Sequence, residues 1–128
     1  MSNVYLKTFN KQFEDFLNDI NNIFPNNEAI ITARNSLIML KKLNPKLLIG
    51  VWHQHIYIPY KKSIDDGDID FFINKDYTND ISQMEDAKKI MTEIDNFRKP
   101  IREMDTTNQG HCMKYIQNLS KLSCAYIK

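Results

Sequence analysis

The chain has 128 residues and a mass of 15.1 kDa, with 42% hydrophobic and 26% charged side chains. That is enough for one domain with a real core, and the composition argues against a disordered chain. Net charge is +1 from 17 basic and 16 acidic residues, so the total singles out no class of partner. No apolar run approaches the ~18 residues of a membrane span. The polar start Met1-Ser2-Asn3 is not read as a signal peptide. Two cysteines, Cys112 and Cys124, make no disulfide framework, and a reducing compartment is expected.

The first predicted helix carries Leu6, Phe9, Phe13, Phe16, Leu17, Ile20 and Phe24 at steps of three and four, one apolar stripe. Pro25 and the asparagines after it end this helix, with Asn26 or Asn27 as N-cap of the next. The second helix presents Ile30, Ala33, Leu37 and Leu40 on one face, which Ile38 and Met39 widen. Asn44-Pro45 reads as an N-cap followed by proline at the first helical position, where no N–H is needed. Leu47, Leu48, Val51, Trp52, His55 and Ile56 then keep helical spacing to a break near Pro59. A strand is the alternative over 47–60, because Val51 to Tyr60 is rich in β-branched and aromatic residues.

Residues 63–82 break the rhythm. Gly67 and its flanking aspartates favour turns and caps, with Ile69, Phe72 and Ile73 as one short docked helical turn. A long amphipathic segment follows with Ala87, Ile90, Ile94, Phe97, Ile101 and Met104. Pro100 inside it predicts a kink or break near Phe97 to Lys99. Thr106-Thr107-Asn108-Gln109 reads as a capping box opening a last helix, with Cys112, Tyr115, Ile116, Leu119, Leu122 and Tyr126 on its buried stripe. The expected architecture is one all-α domain over 1–128, a bundle of five or six helices with an acidic, turn-rich connection in the middle.

Residues that could carry chemistry do not assemble. Asp66-Gly67-Asp68-Ile69-Asp70 starts like a calcium loop, but with Asp66 as first position Phe71 stands where glycine is needed and Tyr77 where the bidentate glutamate is needed. A solvated loop with capping aspartates is the expectation. His53 and His55 point ~200° apart on a helix, and His55 is expected against the core with His53 toward water. Cys112 and Cys124, twelve residues apart on one helix, would lie ~18 Å apart, too far to share a metal or a disulfide. His111 is adjacent to Cys112 and diverges from it by ~100°, a poor nucleophile and base pair. Glycines at 50, 67 and 110 permit neither phosphate-loop pattern. No enzyme activity, catalytic residue, metal, cofactor or small-molecule substrate is expected.

Charge is laid out in blocks. The nets are +4 over residues 1–64, −7 over 65–86 and +4 over 87–128. Residues 106–128 contain no acid, and Lys114, Lys121 and Lys128 repeat every seven residues; Arg98 and Arg102, or Lys41, Lys42 and Lys46, extend the basic surface. Such a surface complements the acidic stretch of the same molecule or of a neighbour. Residue usage is biased as well, with 14 Asn, 17 Ile and 14 Lys against 4 Ala and 3 Gly, the pattern of an AT-rich genome.

The segment Val4-Tyr5-Leu6-Lys7-Thr8-Phe9-Asn10-Lys11-Gln12-Phe13-Glu14-Asp15-Phe16 resembles the start of a small protein family of nucleocytoplasmic large DNA viruses, of the mimivirus and phycodnavirus kind. The likeness continues through Asn44-Pro45-Lys46-Leu47-Leu48-Ile49, Trp52, Pro59-Tyr60, Gly67-Asp68, Phe71-Phe72 and Lys75-Asp76-Tyr77. It closes with Arg98-Lys99-Pro100-Ile101 and the run from Met113 to Leu122, so it spans nearly the whole chain. The resemblance implies a small helical protein in the cytoplasmic viral factory of an infected cell or in the virion, and it brings no catalytic residues with it.

The function expected from these readings is a non-enzymatic protein-protein interaction or assembly component, with a protein partner or self-association and no membrane. Trp52, Tyr57 and Tyr60 near the Pro59 bend are the candidate contact residues, because Trp and Tyr are enriched at interface hot spots; for Trp52 a place in the core is the alternative. The alternative function is accessory nucleic-acid binding in viral replication or transcription through Arg98, Arg102, Lys114 and Lys121.

Overall fold

In the computed structural model, which describes residues 3–74 and 85–127, helix α1 (Asn3–Ile23) buries the stripe the spacing predicts, from Leu6 to Ile20. Pro25 ends it, and Asn27 caps α2 (Glu28–Leu43) by accepting the Ile30 N–H at 3.2 Å. The two helices run antiparallel. Arg34 donates to Asn18 at 2.6 Å and Lys41 pairs with Glu14 at 3.4 Å, so numbers rise on one helix as they fall on the other.

Asn44-Pro45 does not open a helix as the sequence reading has it. The Asn44 N–H closes α2 on the Leu40 carbonyl at 2.9 Å, and its side chain accepts the Lys46 N–H at 3.2 Å, a local turn. Asn10, on α1, donates to the Pro45 carbonyl at 2.9 Å and fixes that turn. Helix α3 (Leu47–Trp52) starts beyond it and widens into a π-helical turn, His53–Tyr57, where the Ile58 N–H reaches back to the His53 carbonyl at 3.0 Å. The segment 47–57 is therefore helical, and the strand alternative falls.

The acidic connection contains two five-residue helices, α4 (Lys61–Asp65) and α5 (Asp70–Asn74). Between them Gly67 takes a φ of 74°, a left-handed turn that favours glycine. Phe72 and Ile73 are buried and Ile69 is partly buried, the docked helical turn expected from their spacing. The rest of that connection, 75–82, and the side chain of Ala87 lie outside the described residues.

Helix α6 (Glu85–Arg102) runs through Pro100 and does not break at Phe97 to Lys99. Proline sits only two residues from the helix end, where the missing N–H removes one ladder bond and little follows it. The capping box opening α7 (Thr106–Ile127) is also corrected. Asp105 is the cap, accepting the Asn108 N–H at 2.8 Å, while the Gln109 amide turns back to the Ile101 and Arg102 carbonyls at 3.1 and 3.2 Å. One side chain of α7 thus caps the last two carbonyls of α6.

Helix α1 lies along α7 on one side and α2 on the other, α2 lies along α6, and α3 sits among α1, α2, α6 and α7. Among the described residues this is an all-α bundle of seven α-helices and one π-helical turn, the two short helices standing where the sequence reads as turn. Trp52 fills the centre, edge-on to Phe9 and Phe13 with ring centroids 6.2 Å apart in both cases. Because α7 is contacted by α1 on one side and by α3 and α4 on another, its buried surface is broader than the predicted stripe. Met113, Ser120 and Ser123 are fully buried, whereas Tyr115, Leu122 and Tyr126 are only partly so.

Candidate functional site

Trp52, expected either as a contact residue or in the core, is only 2% exposed and is a core residue. Tyr60 is half-buried and stacks on Phe71, ring centroids 5.5 Å apart. Tyr57 is half-buried on the rim of a cleft of about 630 Å³ between the π-helical turn, α4 and α7, which Tyr5, Asp65, Gln117, Lys121 and Cys124 also line. The three aromatics do not form one surface.

A polar seam behind this cleft joins α3 and the π-helical turn to α7. The Ser120 hydroxyl donates to the Ile116 carbonyl at 2.8 Å and accepts the Trp52 indole N–H at 3.0 Å. The Ser123 hydroxyl donates to the Ser120 carbonyl at 2.7 Å and lies 3.2 Å from His53 Nδ1, an arrangement that suits an imidazole carrying its proton on Nδ1. Burial holds the His53 pKa below its usual 6.5. The expectation that His53 faces water does not hold: it is half-buried, tied to α7 and stacked on Tyr57, while His55 is half-buried beside the core. The Tyr57 hydroxyl bonds Cys124, which together with burial pushes the phenol up to about 12. Gln117 donates to the Ile64 carbonyl at 2.9 Å. These donors serve internal contacts, which makes the seam a structural joint.

The basic residues divide. Arg98 pairs with Asp95 and Arg102 donates to the Ile73 carbonyl, so both arginines are engaged within the fold. Lys114 and Lys121 are exposed on α7, Lys121 at the edge of the cleft. Asp66 pairs with Lys62 at 2.8 Å and Asp68 accepts the Asp70 N–H at 3.0 Å, the solvated, capping role expected of that loop. Among the described residues no three His, Cys, Asp or Glu side chains are grouped to hold a metal ion. No helix among them is long and apolar enough to cross a membrane.

The surface the sequence reading misplaced is on α2. That helix carries seven large apolar side chains in 16 residues but buries only Ile30, Ala33 and Leu37. Met39, expected to widen the buried face, is 58% exposed, and Leu43 one turn on is 75% exposed. Met39 separates two grooves. One, of about 410 Å³, is lined by Glu14, Arg34, Ile38 and Lys42; the other, of about 240 Å³, by Ser36, Leu40, Leu43 and Lys89. The signal was present as an apolar surplus on one helix, more than one contact face can use.

No known family, curated protein or solved structure matches this chain.

Proposed function

We propose that the protein is a non-enzymatic interaction module that docks a protein partner on the outer face of α2. The observation carrying this is the pair Met39 and Leu43, 58% and 75% exposed and one turn apart beside two grooves. Exposed large apolar side chains set between grooves offer knobs and holes to a facing surface, and methionine adapts readily to different partners. The Ser120 hydroxyl and the Gln117 amide of the Tyr57 cleft are committed to internal bonds, which supports a binding role over a catalytic one. The viral resemblance points this role to the cytoplasmic factory of an infected cell or to the virion, and the AT-rich residue usage agrees with that origin. Two of the four cations proposed for nucleic acid are occupied within the fold, which weakens that alternative.

The test is affinity capture from infected cells with the wild type, the double variant M39Q/L43Q, and K114E/K121E. Partners lost only with M39Q/L43Q support docking on α2. Partners lost only with K114E/K121E, or salt-dependent binding of DNA or RNA that needs those lysines, would move the function to α7.

A further inference from the structure

Resting on the reading that α2 is a docking face, we infer that its partner is an acidic, apolar helical segment of another protein. The charges beside the face choose the sign. The described side chains lining the grooves on either side of Met39 include the cations Arg34, Lys42 and Lys89 and one carboxylate, Glu14, which already pairs with Lys41. Carboxylates ringing an apolar stripe complement that arrangement, steering encounter and rejecting basic partners. The shape selects a helix. Two concave grooves flanking a protruding Met39 fit apolar side chains at i and i+3 or i+4 of a facing helix, in the manner of ridges entering grooves. A lipid surface fits less well, since two exposed apolar side chains between concavities bury little area in a bilayer.

Asp68 and Asp70 of the same molecule do not reach this face. Asp68 and Asp70 lie beside α5, which rests on the C-terminal end of α6 through Arg102 and Ile73, whereas Lys89 lies near the N-terminal end. Thirteen residues of helix separate Lys89 from Arg102, ~20 Å, about twice the distance over which exposed charges act at physiological salt.

The experiment uses the full chain and fluorescence anisotropy with two labelled synthetic helical peptides, sharing one leucine stripe but filled with glutamate in one and lysine in the other. Vesicles of phosphatidylserine and sedimentation of the protein alone complete the set. The acidic peptide is expected to bind about tenfold or more tighter than the basic one, K42E/K89E to reverse that order, and M39Q/L43Q to weaken binding about tenfold. Both substitutions lie on exposed positions, so the fold is retained. Equal binding of the two peptides, still weakened by M39Q/L43Q, overturns the acidic partner and leaves the docking face standing. Peptide binding indifferent to M39Q/L43Q overturns both. Vesicle binding without peptide binding, or self-association abolished by M39Q/L43Q, assigns the face to a lipid surface or to a second copy and overturns the inference.

Discussion

The Trp52 indole N–H donates to the Ser120 hydroxyl at 3.0 Å, joining residues 68 apart in sequence inside the core. The hydroxyl in turn donates to Ile116, so one serine accepts from the tryptophan without leaving its own proton unpaired. Replacing Ser120 by alanine strands a buried indole donor, at a cost of ~1–3 kcal/mol. In a W52F background there is no donor to strand, and S120A should cost measurably less. Urea unfolding of the four-member cycle checks this; additive effects would mean the bond contributes nothing.

Asp105, and not Thr106, caps α7. D105A is expected to lose ~0.5–2 kcal/mol, and T106A to stay within about 0.5 kcal/mol of wild type. Thermal unfolding of the two variants decides between this cap and the Thr106–Gln109 box. Equal losses would favour the box.

Acid sensitivity follows from His53. Its pKa is lowered in the folded state by burial, so on acidification the unfolded chain, at the usual 6.5, takes up the proton first. Stability is therefore full above that value and falls as pH drops through the window just below it. Urea midpoints from pH 7.5 to 5.5 should decline in the wild type and decline less in H53Q. Parallel profiles would remove His53 from the account.

The cysteines should differ in reactivity. Cys112 is buried, and burial together with Asp19 pushes its thiol up to about 12. Cys124 is partly exposed in the Tyr57 cleft. Native protein treated with iodoacetamide at neutral pH should gain one label, on Cys124, and a second only on unfolding. Intact-mass and peptide analysis read this out; rapid labelling of Cys112 would contradict its burial.

Much of the fold was legible because three-four spacing encodes a buried stripe directly, as α1 shows with Leu6 through Ile20. What periodicity does not encode is how many neighbours a helix will have. On α2 the apolar surplus suggests a wide buried face, yet among the described residues α1, α6 and α3 are its main neighbours, and Met39 and Leu43 are left outside. On α7 the opposite occurred, since packing from two sides buries Ser120 and Ser123, which no hydrophobic pattern marks. Trp52 illustrates a third limit: the same large amphipathic ring suits an interface or a core, and only the tertiary position of Ser120 decides which. Asp105 was missed because Thr106 beside it completes a motif whose spacing is correct and whose register is one residue late.

Met39 and Leu43 are proposed as a docking face for a protein segment. Amide chemical shifts of isotope-labelled protein, followed while the glutamate-leucine peptide is added, test it most directly. Perturbations are expected to concentrate between Asn35 and Leu43 and at Lys89. Perturbations confined to α7 around Lys114 and Lys121, or none at saturating peptide, would contradict it.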